Sequence, residues 1–504
     1  MDTFLLICSL VTYVERRVGR DICYTEMEKT MGFSYRHIRE VFRECTNIPL
    51  SRYISSRKMA NAAFDIAHTG QTLTYIAGKY GFDAYDTFTR AFRRETGLIP
   101  SIFRKAAIPV GRKKLAMGAY GPAILPVKHD MLIKRNAEVD HLPTNIEKTQ
   151  ESCILFGVPK VAYSDEECTP FPACLKSCLH YMGQQVDYAA LMAASGAAFR
   201  LRWNMGMWDG GNVDIRIVYE NDQEAFLKSF QAAGRRVRML ERTHSNKAEF
   251  QKFIVEEIDA GRPVIALGII GPPEACILTG YMENGETLLG WNFFQDNPEF
   301  AADVQMHETG YFICKKWWEN EQTSLLMAIG EEEEAHVPLK EQLQNAVEIL
   351  EKEQLVIRSP DGEKVRIYAG GQAAYDAWAN AIGNEREFPA HALLPLLFER
   401  IMCQTDAQVM VGEGRSYAAV WLNHIGDSLP QQKVMLSQAA EEFKKAACSV
   451  FRMYALRGGF EQTESAAKTF AKPEVRKKVI ELIYEAKEHE AKAKSILKEI
   501  VEQR

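Results

Sequence analysis

Two stretches of the chain place hydroxyl and guanidinium groups beside regularly spaced apolar residues. The first, Met31–Ile54, has the sequence MGFSYRHIREVFRECTNIPLSRYI, and the second, Gly81–Arg104, has the sequence GFDAYDTFTRAFRRETGLIPSIFR. Arginine donates paired hydrogen bonds to guanine or phosphate, and threonine offers a methyl group or a hydroxyl. The residue types in both stretches therefore indicate contact with a nucleic-acid duplex.

Short helices joined by tight turns must position these groups. Apolar residues at i, i+3, i+4 spacing predict a helix that ends in a turn at Gly81, and Asp83 is a suitable N-cap for the next helix. The apolar stripes of the two helices are Leu73, Ile76 and Ala77, then Phe88, Ala91 and Phe92. Two helices joined by a glycine turn, the second basic and rich in hydroxyls, form a helix-turn-helix motif.

The motif occurs twice, because Ser34, Ile38 and Phe42 match three residues of the second stretch fifty positions later. Both copies resemble the AraC family of transcription regulators, and the second copy does so down to the phenylalanine of TRAFRR and the closing Pro100. The resemblance implies an all-α DNA-binding domain over residues 1–106. It also implies that a long helix near residues 49–67 joins the two motifs rigidly.

The resemblance carries over a set of DNA contacts. The residues at the matching positions are Ser34, Tyr35, Arg36, Arg39, Tyr85, Asp86, Thr87, Thr89 and Arg90. Arg36 and Arg39 occupy the positions that face base edges in the family, whereas His37 is either close to phosphate or simply solvated. Glu40 and Asp86 depart from the family pattern, because a carboxylate accepts from cytosine but repels phosphate.

The charge distribution agrees with an N-terminal polyanion-binding region. The chain has 504 residues and a formal net charge of -6. Residues 1–105 hold 16 Lys and Arg against 11 Asp and Glu, net +5, and the remainder holds 45 against 56, net -11. A basic head on an acidic body predicts that double-stranded DNA binds at the N-terminus.

The cysteine content indicates a reducing compartment. The chain has 11 cysteines and no CxxC pair, which argues against a disulfide framework or a structural zinc site. The N-terminal FLLICSLVTYV lacks the basic region and cleavage site of a signal peptide and predicts a first packed helix. We therefore expect a cytoplasmic protein with no membrane contact, no metal and no cofactor.

The middle of the chain, residues 151–329, is expected to be an α+β domain that follows a linker at 107–150. A strand at CILFGVPKVAY precedes two helices near 174–182 and 186–194, and three strands are predicted at 262–271, 275–282 and 286–294. This order resembles papain-like folds, in particular bacteriocin-processing peptidases and butirosin-type proteins.

The same resemblance implies that the domain lacks a catalytic set. Pro170 stands where the nucleophilic cysteine of the peptidases would lie, and Glu274 or Ala275 replaces their base histidine. A thiolate nucleophile needs a base within hydrogen-bond reach. The alternative is an acyltransferase or amide-forming enzyme that uses Cys168 or Cys174 and is fused to a DNA-binding head.

A domain of this kind without catalytic residues is suited to holding a ligand. The segment RLRWNMGMWDGGN, Arg200–Asn212, puts tryptophans beside a carboxylate in what is predicted to be a loop. Such a pair of groups suits a cation or an amine, although the tryptophans could equally anchor the loop in a core. The candidate ligand-binding residues are Trp203, Met205, Trp208, Asp209, Glu274, Tyr281, Trp291 and Asn292.

The C-terminal part is expected to be a helical domain, residues 346–504, after an acidic linker at 330–345. Helical periodicity recurs through this range, and four aromatic residues and one arginine suit either a core or a pocket. These residues are Tyr368, Tyr375, Trp378, Arg415 and Trp421. The last helix, 474–503, has an apolar stripe that suits internal packing or a homodimer.

The sequence thus predicts a ligand-responsive transcription regulator with three folded parts and a hinge near residues 106–126. Its expected partners are double-stranded DNA and a small-molecule effector, with RNA polymerase and a second copy of the chain as further candidates. A purely architectural DNA-binding protein fits the N-terminus but leaves nearly four hundred residues without a role.

Overall fold

A computed structural model describes residues 22–46, 49–96, 99–105, 145–163, 167–297, 300–301, 303–307, 309–333, 337–358, 365–459 and 462–502, and the single residues 6, 10, 13, 14, 17 and 18. Within these residues a helical N-terminal region precedes a sheet-containing region and a mainly helical C-terminal region. This order confirms the predicted succession of fold types. The predicted hinge at 106–126 lies outside the described residues.

The described N-terminal region is built from short helices around two small cores. Phe42 is fully buried in the first core, and Phe88 and Phe92 are fully buried in the second. The helices are α1 (Tyr24–Met31), α2 (Tyr35–Thr46), α3 (Leu50–His68), α4 (Leu73–Lys79), α5 (Tyr85–Thr96) and α6 (Pro100–Lys105).

The start of α5 corrects one prediction. The backbone amides of Thr87 and Phe88 donate to the carbonyl of Ala84, at 3.1 and 3.2 Å. Ala84 therefore occupies the N-cap position, because the N-cap carbonyl accepts the first intrahelical bonds. Asp83, which the sequence placed there, lies one residue outside the helix.

A large antiparallel sheet forms the centre of the middle region. Its strands are β1 (Asn145–Lys148), β2 (Cys153–Phe156), β4 (Arg235–Glu241), β5 (Val264–Leu267), β6 (Ala275–Met282), β7 (Thr287–Trp291), β8 (Gln305–Met306), β9 (Phe312–Cys314) and β10 (Leu325–Glu332). The order is β4-β10-β5-β6-β7-β9-β8, with β2 beside the second half of β6 and β1 beyond it. The sequence predicted β5, β6 and β7 but not their partners β9 and β10, nor β4, which pairs with β10.

Four described helices pack with this sheet; the first two lie close to the helices predicted near 174–182 and 186–194, and the other two were not predicted. They are α7 (Pro170–Tyr181), α8 (Tyr188–Ala194), α9 (Glu224–Ala232) and α10 (Lys247–Asp259). The predicted strand CILFGVPKVAY is shorter than expected, because only residues 153–156 pair with neighbouring strands.

The C-terminal region contains a β-hairpin that the sequence analysis missed. Strand β3 (Arg202–Asn204) pairs with β12 (Val365–Gly370), which pairs with β11 (Gln354–Arg358). The helices are α11 (Leu339–Glu351), α12 (Gly371–Gly383), α13 (Leu394–Ser428), α14 (Lys433–Leu456), α15 (Glu464–Phe470) and α16 (Pro473–Glu502). The predicted linker at 330–345 holds the end of β10 and the start of α11.

The middle and C-terminal regions share one hydrophobic core, to which the sheet, α13, α14 and α16 all contribute. A buried carboxylate locks the two regions together, because Glu413 of α13 accepts hydrogen bonds from the backbone amides of Cys168 and Thr169 at 2.6 and 3.2 Å. The proposed boundaries between 151–329 and 346–504 stay predictions.

The last helix, α16, buries its apolar stripe within the chain. Leu482, Ile483 and Leu497 are buried against the other C-terminal helices, and Glu490 fills the polar gap in the stripe as a fully buried ion pair with Arg415. The structure therefore shows the internal-packing alternative for this stripe, and the homodimer stays a prediction. Among the described helices, none has both the length and the hydropathy needed to cross a membrane.

Candidate nucleic-acid interface and effector recess

The first recognition helix, α2, presents arginines opposite its buried face. Ile38 and Phe42 are fully buried, which turns Arg39 and Arg36 outward, the latter with 88% of its side chain exposed. The Nε atom of Arg36 lies 3.0 Å from Oε1 of Glu40. Because an exposed i,i+4 pair contributes only about 0.3–0.5 kcal/mol, it leaves Arg36 available for stronger contacts.

Ser34 and Tyr35 shape the start of α2. The Oγ atom of Ser34 accepts from the backbone amide of His37 at 3.4 Å. The half-buried Tyr35 ring lies 4.5 Å from the Tyr24 ring, and its backbone amide donates to Glu28 Oε1 at 2.7 Å. Both residues therefore hold the helix in place and leave only part of their surface for an external partner.

The second recognition helix, α5, repeats this arrangement. Phe88 and Phe92 are fully buried, whereas Asp86, Thr87 and Arg90 are exposed on the other face. Arg90 Nε donates to the carbonyl of Asp86 at 3.4 Å, a long bond that costs little to exchange for another acceptor. The structure thus brings these three predicted residues to one accessible surface.

Thr89 does not present its hydroxyl as the sequence predicted. Its Oγ1 atom is buried and has no hydrogen-bond partner among the described residues. Tyr85 is half-buried, with its ring 6.3 Å from the Phe88 ring. The buried face of α5 is therefore wider than its apolar stripe indicated, because it extends to Thr89.

Helix α3 carries both motifs. Its 19 residues span about 28 Å, close to the roughly 34 Å between successive major grooves on one face of a duplex. Tyr53 and Ile54 of its N-terminal half pack in the first core. Asp65 of its C-terminal half accepts from Lys79 Nζ and Tyr80 Oη, both at 2.7 Å. One rigid element therefore sets the spacing of the two recognition helices.

The tryptophan-rich segment is a core anchor. Trp203 lies in β3 with only 3% of its surface exposed, and its ring centre is 5.3 Å from Trp208 and 6.4 Å from Trp378. Trp208 is half-buried against Phe388, and the guanidinium of Arg400 covers its ring at 4.6 Å. Of the two alternatives left open by the sequence, the structure shows the anchor for Trp203.

Asp209 is not a free carboxylate. Its Oδ1 atom accepts from the backbone amide of Gly211 at 2.8 Å, and its Oδ2 atom accepts from Asn204 Nδ2 at 2.9 Å and Tyr368 Oη at 3.0 Å. These bonds hold the turn that follows β3. Met205 in the same turn is exposed.

The remaining aromatic candidates are buried and bonded within the sheet region. Tyr281 Oη donates to Asp259 Oδ1 at 2.8 Å, and Trp291 Nε1 donates to the carbonyl of Val158 at 2.9 Å. The side-chain oxygen of Asn292 accepts a backbone amide two residues further on, at 2.8 Å. These hydrogen bonds stabilise the strand ends at which the three residues lie.

Glu274 lies in a recess with two residues that the sequence analysis did not single out as ligand candidates, Arg200 and Asp406. Burial raises the pKa of Glu274 to about 7, Asp214 adds to this rise, and Arg200 opposes it. Burial also raises the pKa of Asp406 to about 8, with Glu274 adding and Arg200 opposing. Both residues are half-buried, and we call the region around Arg200, Glu274 and Asp406 the recess.

The elements explain why the sequence analysis missed this recess. Arg200 precedes β3, Glu274 precedes β6, and Asp406 lies in the middle of α13. The available sequence feature is an aspartate in a helical run that holds no other charge, IMCQTDAQVMV, which places a carboxyl next to buried positions. Only the packing of α13 on the middle region brings it to Glu274.

Cys174, a nucleophile in the alternative enzyme hypothesis, is fully buried in α7. Burial raises the pKa of the Cys174 thiol well above its ordinary value, and the neighbouring Cys178 and Cys276 add to the rise. Because the thiolate is the reactive form, this environment disfavours nucleophilic chemistry at Cys174.

Comparison with known proteins concerns the N-terminal part. Residues 27–106 match a family described as a helix-turn-helix domain. The multiple antibiotic resistance protein MarA of Salmonella typhimurium (strain LT2) is 27% identical over 100 residues, 20% of this chain and 79% of that protein. The HTH-type transcriptional activator AarP of Providencia stuartii is 27% identical over 99 residues, 20% of this chain and 73% of that protein.

A longer relative matches over the same part. The transcriptional regulator Rob of Salmonella typhimurium (strain LT2) is 26% identical over 107 residues, which are 21% of this chain and 37% of Rob. The chain thus spans little more than a third of that relative's length. The family match, these relatives and the paired motifs on α3 agree with one another, and the N-terminal part of this chain is an AraC-family helix-turn-helix domain.

Proposed function

We propose that the chain is a ligand-responsive transcription regulator that binds double-stranded DNA through α2 and α5. The observation that carries the proposal is the pair of recognition helices on one rigid helix, α3, with Arg36 and Arg90 exposed on them. Relatives that share this part are named as transcriptional regulators or activators, which supports the same role for this chain.

DNA binding by the full chain tests this role. Each phosphate neutralised should contribute about -0.9 to the slope of log affinity against log salt, so we expect steep salt dependence. Arg36→Ala and Arg90→Ala should each weaken specific binding by roughly 1–3 kcal/mol if they contact bases. Arg386→Ala is the matched control, because Arg386 is an exposed arginine in the C-terminal region.

A direct contact supports the ligand-responsive part of the proposal. Tyr454 of α14 is buried in the first N-terminal core with Phe42 of α2. The Arg457 guanidinium lies 5.0 Å from the Tyr454 ring and donates to Thr405 Oγ1 at 2.8 Å. Thr405 adjoins Asp406 of the recess. A ligand that shifts Asp406 would therefore act on α2 through three contacts, Thr405 to Arg457, Arg457 to Tyr454 and Tyr454 to Phe42. Allostery requires contacts of this kind that differ between two states.

A screen of metabolites against the full chain by thermal shift tests ligand response. A ligand present at about 100 times its Kd stabilises the folded state by roughly 2.7 kcal/mol. A stabilising compound should then change the affinity for the DNA site. A compound that stabilises the chain and leaves DNA affinity unchanged would reduce the proposal to DNA binding alone.

We infer further that the middle region does not act as a cysteine-dependent enzyme. The burial of Cys174 and the proline at position 170 support this inference. Cys174→Ser and Cys168→Ser should leave ligand response unchanged, and loss of response with intact folding would favour the acyltransferase alternative. The papain-like resemblance, contact with RNA polymerase and a cytoplasmic location stay predictions.

A further inference from the structure

Three ionisable side chains in the recess have no partner among the described residues. Arg200, Glu274 and Asp406 form neither an ion pair nor a side-chain hydrogen bond with another described residue. Arg200 is the most deeply buried of the three. Only 3% of its surface is exposed, and its Nε and Nη1 atoms have no acceptor among the described residues. A buried donor without an acceptor destabilises the folded state, and a charged donor does so more strongly.

These three groups lie near one another without touching. Arg200 influences both carboxyls electrostatically, and Glu274 influences Asp406. Because no ion pair joins them, a gap separates the guanidinium from the two carboxyls. A ligand in this gap can supply an acceptor to Arg200 and donors to Glu274 and Asp406.

The other charges around the recess are already used by the chain. Asp214 accepts from the Arg216 guanidinium, with Nη2 3.1 Å from its Oδ2 atom. Asp209 accepts three hydrogen bonds, and Arg457 donates to Thr405. The unsatisfied set is therefore one guanidinium and two carboxyls.

Aromatic side chains form part of the rim. The pKa of the Tyr163 phenol is raised, first by burial and then by the Glu274 carboxyl. The Tyr163 ring is tilted against the Phe293 ring at 4.9 Å and meets the Phe294 ring edge-on at 5.8 Å. An aromatic rim lowers the local dielectric constant and strengthens charge pairing inside the recess.

We propose that this recess binds a small molecule of the diamino-acid class, with its two protonated amines at Glu274 and Asp406 and its carboxylate at Arg200. A guanidinium and a carboxylate form paired, charge-assisted hydrogen bonds, and an ammonium group donates to each acidic side chain. The proposal rests on the proposed function, since it assigns a chemistry to the effector of that regulator.

Calorimetry with the full chain tests the ligand class. L-Lysine and L-ornithine are the probes, cadaverine lacks the carboxylate, norleucine lacks one amine, and glutarate lacks both amines. One diamino acid should bind at least about ten-fold more tightly than each of these three, a difference of about 1.4 kcal/mol. The proposal is overturned if glutarate or norleucine binds as tightly as the better diamino acid. It is also overturned if neither diamino acid gives a heat signal up to about 10 mM, a concentration at which millimolar affinity is detected.

Neutral isosteres locate the site. Glu274→Gln and Asp406→Asn should fold, because the raised pKa values of these carboxyls already favour their neutral forms without ligand. Each should weaken binding of the diamino acid at least about ten-fold, whereas Asp303→Asn, at an exposed ion pair, should not. Unchanged binding in both recess variants would overturn the proposal.

Arg200→Gln and DNA binding complete the test. Arg200→Gln should reduce the preference for lysine over cadaverine, and this ratio does not depend on the fraction of folded protein. A preference that stays at the wild-type value would overturn the role of Arg200.

DNA affinity measured on the same samples separates failure of the proposed function from failure of this inference. A chain that binds lysine in the recess but no DNA contradicts the proposed function. A chain that binds DNA but no lysine in the recess contradicts this inference.

Discussion

At the scale of single residues, hydrogen-bond partners decide which polar groups are free to act. Asp209 and Asp406 are both half-buried aspartates. Asp209 accepts three hydrogen bonds, whereas Asp406 accepts none from the described residues. Sequence proximity to tryptophan singled out Asp209. Tertiary packing left Asp406 as the carboxyl that has no hydrogen-bond donor among the described residues and can accept one from a ligand.

The raised pKa of Asp406 predicts a pH dependence of stability. Its pKa rises from 3.8 in the unfolded chain to about 8 in the folded one, where burial, Glu274 and Asp209 raise it and Arg200 and Arg457 lower it. Between these values the folded state binds a proton that the unfolded state lacks, so the free energy of unfolding falls as pH rises towards 8.

Asp406→Asn should therefore lose less stability than the wild type between about pH 5.5 and pH 8.5, because the amide does not titrate. Urea denaturation at the two pH values measures the difference, and Asp303→Asn is the control. Equal losses in Asp406→Asn and wild type would mean that Asp406 is ionised in the folded chain at both values.

Thr89 gives a second prediction at this scale. Because its Oγ1 atom is buried and unpartnered, Thr89→Val removes a polar atom without leaving a cavity. We expect stability to be unchanged or raised by up to about 1 kcal/mol and DNA affinity to be unchanged. Weaker DNA binding by a correctly folded Thr89→Val variant would show that the hydroxyl turns outward on DNA.

At the scale of elements, α13 connects structural and binding roles. Glu413 holds the start of α7, Arg415 holds the carbonyl of Arg200 at 2.7 Å, and Asp406 faces the recess. Gly414 lets the helix approach the chain before Arg200, since a Cβ atom there would lie 2.9 Å from the carbonyl oxygen of Ala197. The position of Arg200 therefore depends on a glycine in α13, 214 positions further along the chain.

Gly414→Ala should destabilise the chain by about 1–3 kcal/mol, because the clash outweighs the gain of roughly 1 kcal/mol in helix propensity. Gly426→Ala, in the same helix, is the matched control, since its Cβ atom would meet only Lys433 Cγ at 3.5 Å. Thermal unfolding of both variants measures the difference. Similar stabilisation of the two would contradict the close approach at Gly414.

At the scale of the whole molecule, the first helix-turn-helix is docked on the C-terminal region. Tyr454 is 1% exposed and packs in the core of the first motif, whereas the second motif has a core of its own without C-terminal residues among those described. The two recognition helices are therefore unequal. A change in the C-terminal region reaches α2 directly and reaches α5 only through α3.

Tyr454→Ala should loosen α2 and leave α5 unchanged. Removing a buried aromatic side chain typically costs about 3–5 kcal/mol, and here the loss falls at the docking contact. Hydrogen exchange should rise in α2 more than in α5, with Val434→Ala, exposed at the start of α14, as the control. Equal increases in α2 and α5 would show that the motifs open as one unit.

The sequence by itself determined the N-terminal part of this protein. Ile38, Phe42, Phe88 and Phe92 are all buried as their helical spacing predicted, because local periodicity and glycine turns are properties of short segments. Asp83 was misplaced by one residue, since helix ends depend on which carbonyl accepts the first amide. The order of the three regions followed in the same way from segment patterns.

Only the tertiary structure decided the recess. Arg200, Glu274 and Asp406 are separated by 74 and 132 positions, and no local pattern relates them. The role of each depends on which partners surround it: Trp203 became a core anchor because β12 pairs with β3, and Asp406 was left unpaired because α13 packs against the middle region. A polar group becomes buried without a partner when distant segments of the chain meet. Periodicity along the chain therefore cannot predict such a group.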